Sequence, residues 1–148
     1  MNIPKPSGLI IRTSLVYLIT GFTIGGLILW SKVDSSFVWA WSLFSAHIDF
    51  LLFGWTFQFV MGVAYWILPR YPKEPIRGPL WPIWLSFILL NSGLLINFLT
   101  SLFPITFSGM LISRIFLLLS VMIFVAVIFG RVRPFLIYTT STKTNKQE

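Results

Sequence analysis

The chain has 148 residues, of which 56% are hydrophobic and 10% charged, and its mean hydropathy is +0.85. A soluble domain carries about 25% charged residues, so this composition excludes a soluble protein and points to one membrane-embedded domain. With no cysteine there is no disulfide framework, thiolate metal site, iron–sulfur cluster or covalent c-type heme. The net charge of +7 is not read as nucleic-acid binding, because the basic residues sit at the ends of apolar runs, where membrane topology accounts for them.

A bilayer core of about 30 Å needs roughly 20 apolar helical residues, and four segments qualify. The first runs from Leu9 to Trp30 and spaces Tyr17, Gly21 and Gly25 by four, with Gly26 adjacent, a pattern for close helix contact. It lacks a small-residue cleavage site and continues to spanning length, so it reads as a span rather than a signal peptide. Lys32 to Ser36 is a polar break, and the second span follows from Leu43 to Leu68. The linker from Pro69 to Pro82, rich in proline and charge, reads as a semi-rigid basic strap. The third span, Trp81 to Leu102, puts Ser86, Gly93, Asn97 and Thr100 on one face, with Asn91 and Ser92 off it. Pro104 and Gly109 mark the next break, and the fourth span, Met110 to Phe129, contributes Ser113, Arg114 and Ser120. Residues 1–138 thus form the domain, and the polar tail 139–148 is expected to be disordered.

Lys5, Arg12, Arg70, Lys73, Arg77, Arg131, Arg133, Lys143 and Lys146 fall on one side of the membrane, and only Lys32 and Arg114 on the other. The positive-inside rule then puts both termini in the cytoplasm of a bacterial inner membrane. Trp30, Trp39 and Trp41 flank the outer ends of spans, and Trp66, Trp81 and Trp84 the inner ends. Short connections make sequence neighbours antiparallel neighbours, so the expected fold is an all-α, up-down-up-down bundle of four transmembrane helices.

The second span carries the only histidine, His47. At 100° per residue, Gly54, Gln58, Met61 and Tyr65 fall within about 40° of the His47 direction, with Gly62 at the edge. Such a stripe gains nothing from lipid and should face protein or a cofactor. Two readings follow. Small residues let helices approach while His, Gln and Tyr bond across the contact; or His47 ligates heme iron through Nε2, with Gly54 making room for the ring. Asp49 points about 200° away from His47. A carboxylate this deep needs a partner, and Arg114, at comparable depth, is the expected one. Arg114 also has the chemistry to meet heme propionates or a lipid phosphate.

His47 near one end, Gly54-Trp55, Met61-Gly62, Tyr65 and Leu68-Pro69-Arg70 together resemble the second transmembrane helix of heme–copper oxidase subunit I, in the C-type oxidase and nitric oxide reductase branch. The resemblance covers about 25 residues strongly and the first two spans weakly, and implies that His47 is an axial ligand of a b-type heme, with Gly54 and Gln58 beside it. That family has about a dozen helices and further histidines, which are absent here, so no oxygen- or nitric-oxide-reducing centre is expected. A second ligand would come from a homodimer mate, another membrane subunit or Met110; Met61 lies about 21 Å along the helix and cannot reach the same iron. The resemblance implies a non-catalytic accessory component of respiratory electron transfer. The alternative is a heme-free scaffold or assembly factor for a larger complex. A channel or carrier is disfavoured, since no span has repeated charges or a broken helix.

Overall fold

The computed structural model describes residues 4–68, 79–103, 107–129 and 131. Four helical runs are long and apolar enough to cross a membrane: Lys5–Trp30, Ser35–Ile67, Trp81–Leu102 and Ser108–Phe129. Among the described residues there is no strand. Residues 69–78 of the proline-rich linker, Pro104 and the tail 139–148 lie outside them.

Helix α1 (Lys5–Trp30) begins four residues before the apolar run, because Pro6 sits in the first turn, where its missing N–H costs nothing. The break after it is shorter than its polarity suggests. Asp34 Oδ1 accepts from Ser36 N at 2.9 Å and caps a 3-10 helix, Ser35–Leu43, which feeds into α2 (Phe44–Asp49). Phe50–Phe57 is then π-helical, with Thr56 Oγ1 donating to Leu51 O five residues back, at 2.9 Å, before α3 (Gln58–Ile67) resumes ordinary α geometry. The second span is therefore continuous but not uniform. Helix α4 (Trp81–Leu102) also opens with a proline in its first turn, and α5 (Phe107–Phe129) completes the set.

Each helix buries one stripe. Along α1 it is Ser7, Ile10, Ser14, Tyr17, Gly21, Ile24 and Ile28, a three-and-four spacing. Along α5 it is Ser113, Leu117, Ser120 and Phe124, while Ile115, Leu118 and Met122 remain exposed, as lipid-facing positions should be. The second span is the centre of the arrangement. It packs against α1 along its whole length and against α4 on another side; α4 in turn packs closely on α5, whereas α1 and α4 scarcely touch. Two apolar clusters fill the interior. One is built around Tyr17, Ile24, Phe50, Leu90, Leu94 and Leu117, the other around Ile10, Met61, Tyr65, Ile83 and Phe124.

Candidate functional site

The polar stripe of the second span meets α1 through a series of glycine hollows. A Cβ placed on Gly62 would lie 2.8 Å from Ile11 Cγ1, one on Gly54 2.6 Å from Tyr17 Cγ, and one on Gly25 2.6 Å from His47 Cε1. Leu51 fills the space over Gly21 in the same way. Each helix thus offers a hollow to a large side chain of the other, and the pairs climb α1 as they descend the second span, so the two run antiparallel. Close approach through small residues is the main source of helix association in lipid, where no hydrophobic force acts between helices.

His47 is half-buried, with its ring over Gly25 and Nδ1 2.8 Å from Gly21 O. A carbonyl only accepts, so Nδ1 carries a proton, and in the neutral tautomer that makes this bond Nε2 holds the lone pair. This is the arrangement that metal-ligating histidines use, so the donor chemistry suits a heme iron. The space does not. The hollow at Gly54, where the ring was expected to lie, is filled by Tyr17 Cβ, Cγ and Cδ1. Gln58 is fully buried and committed elsewhere: Nε2 donates to Ile10 O at 3.3 Å, and Oε1 accepts from Asn91 Nδ2 at 3.3 Å. His47, Gly54 and Gln58 therefore each make contacts with protein among the described residues, at separate levels of the second span.

Asp49 points away from α1 toward α4 and α5. Arg114 Nη1 lies 2.7 Å from Asp49 Oδ2 and 2.9 Å from Oδ1, and Asn97 Nδ2 donates to Oδ2 at 2.6 Å. Ser45 Oγ accepts from Arg114 Nη2 and from Asn97 Nδ2, both at 3.2 Å. The side chains differ sharply in exposure, 6% for Asp49 and 42% for Arg114. Three helical runs thus meet at one carboxylate. The pairing of Asp49 with Arg114 was expected from their depth; the share taken by Asn97 and Ser45 was not, since polar residues at helical spacing do not reveal which helix they face.

Lower down, Ser86 Oγ donates to Ser120 O at 2.8 Å, and Ser120 Oγ donates to Ser86 O at 2.7 Å. Ser113 Oγ reaches Gly93 O at 2.9 Å. Arg131, counted in the sequence only as a topological charge, is buried. Its Nη2 donates to Tyr65 O at 3.3 Å and Leu68 O at 2.9 Å, and its guanidinium lies 5.1 Å from the Tyr65 ring centroid. It supplies donors and positive charge to the last carbonyls of α3. Met110, the internal candidate for a second heme ligand, is exposed on α5.

Among the described residues no group of three or more His, Cys, Asp or Glu side chains is placed to hold a metal ion. Comparison with known proteins adds nothing to this description: no family model, curated protein or solved structure matches the chain.

Proposed function

We propose that this chain is a non-catalytic, heme-free membrane scaffold or assembly factor, which acts by packing beside other subunits of a larger membrane complex. In this reading it sits in a bacterial inner membrane as an up-down-up-down bundle with both termini cytoplasmic. The observation that carries it is the closure of the polar stripe: Tyr17 occupies the Gly54 hollow, and the His47 ring lies on Gly25 with Nδ1 on Gly21 O. The side chains that suggested a cofactor are used to hold α1 against the second span. With that polar stripe spent on its own packing, the outer surface is what is left for partners.

One observation favours the other role, an accessory component of respiratory electron transfer related to heme–copper oxidase subunit I. The Nδ1–Gly21 bond leaves the Nε2 lone pair of His47 available to an iron. A single experiment separates the two. Protein purified from heme-replete cells is recorded reduced minus oxidised, beside His47→Ala. The scaffold reading expects a colourless protein and a variant that differs only in being less resistant to detergent denaturation. A b-type spectrum that His47→Ala abolishes would overturn it.

A further inference from the structure

Because α1 and α4 scarcely touch, a groove of about 580 Å³ opens between them, with Trp39, Leu43 and Phe50 of the second span in its wall. This lies within the ~300–1,000 Å³ of small-molecule sites. The groove follows α1 from Thr13 to Leu27, about 21 Å at 1.5 Å per residue.

Its lining is apolar except where α1 presents Thr13, Tyr17, Thr20 and Thr23. The threonine hydroxyls all donate to carbonyls of their own helix. Tyr17 differs. It is nine-tenths buried, its ring is set by Gly54 behind it and by Phe50 at 5.0 Å edge-on, and its hydroxyl has no hydrogen-bond partner among the described residues. Without being sealed off, that hydroxyl belongs to a residue in the groove wall. In lipid an unmade hydrogen bond has no water to replace it, so this donor calls for an acceptor.

Depth decides which acceptor. Tyr17 stands about 18 Å from the start of α1 and about 20 Å from its end, at the middle of a helix long and apolar enough to cross a membrane. The ester carbonyls of a phospholipid lie at the interface, outside the hydrocarbon core, and cannot reach it. A carbonyl that dissolves in the core can. We infer that the groove binds an isoprenoid quinone, its ring carbonyl accepting from Tyr17 Oη and its tail lying along the apolar wall toward Leu27. The π-helical turn begins at Phe50 in the same wall, and such turns are frequent at functional sites. This assignment stands on the groove and does not depend on the scaffold reading.

The test uses the whole protein in phospholipid nanodiscs, so that acyl chains already compete in excess. A decyl-tailed benzoquinone is titrated in and tryptophan quenching followed, with Trp39 as the reporter in the groove; decylbenzene, which has the chain and ring but no carbonyl, is the competitor. Wild type is expected to bind the quinone saturably and to be displaced poorly by decylbenzene. Tyr17→Phe, which keeps the ring packing, should bind the quinone about 3- to 10-fold more weakly while retaining the wild-type melting temperature, and should no longer distinguish the two compounds. Quenching that is unsaturable, unchanged in Tyr17→Phe, or equally displaced by decylbenzene would overturn the proposal.

Discussion

Removing either member of the Asp49–Arg114 pair should cost different amounts, and the difference follows from their surroundings. Asp49 is 6% exposed and accepts bonds at 2.6, 2.7 and 2.9 Å from Asn97 and Arg114. In Arg114→Leu it keeps one neutral donor and becomes an uncompensated buried charge, a change that typically costs about 3–5 kcal/mol. Asp49→Leu instead leaves Arg114, which is 42% exposed and long enough to carry its charge toward the nearer membrane surface. Its loss is closer to that of a charged hydrogen bond, about 1.5–3 kcal/mol. The double variant removes both charges and should cost less than Arg114→Leu alone, giving about 2 kcal/mol of coupling. The assay is reversible unfolding by SDS of the purified protein in mild detergent, followed by circular dichroism. Single effects that add to within about 0.5 kcal/mol, or an Asp49→Leu variant weaker than Arg114→Leu, would refute the reasoning.

Two further outcomes are expected. Gly54→Leu should destabilise by about 1–3 kcal/mol through overpacking, because even its Cβ would meet Tyr17 Cγ at 2.6 Å; adding Tyr17→Ala should recover part of the loss in the same unfolding assay, and a neutral Gly54→Leu would show the hollow to be open. Reporter fusions after Tyr138 should be active only in their cytoplasmic form, as the Lys and Arg asymmetry requires, and external activity would reverse the orientation.

Hydropathy made the spans legible because twenty apolar residues in water-exposed form have no other stable home, and Trp81–Leu102 was read to the residue. Asp49 and Arg114 were legible for a related reason: buried charge is so costly that two opposite charges at one depth must find each other. Packing detail was less accessible. Tyr17 and Gly54 are each ordinary members of a helical stripe, and only the register between helices shows that one fills the other. The Asp34 cap was readable in principle, since an acidic residue before Ser35-Ser36 is a helix-start signal, but the Trp-rich stretch after it looked like an interface. The π-helical turn has no counterpart in hydropathy at all, because apolar residues line every side of Phe50–Phe57. Asn97 was read onto one face with Ser86 and Gly93, where it lies, but its partners Asp49 and Ser45 were not legible; Arg131 was read only as a charge, and its bonds to carbonyls of the second span were equally hidden.

Arg131 also constrains the order in which the protein can be completed. The second span ends on carbonyls of Tyr65 and Leu68 whose donor arrives from beyond α5, more than sixty residues later in the chain. These bonds, and the guanidinium's place over the Tyr65 ring, can form only after α5 has been synthesised. The clamp therefore registers completion: a chain released before residue 131 would hold all four helical runs and lack this contact between the second run and the end of the last.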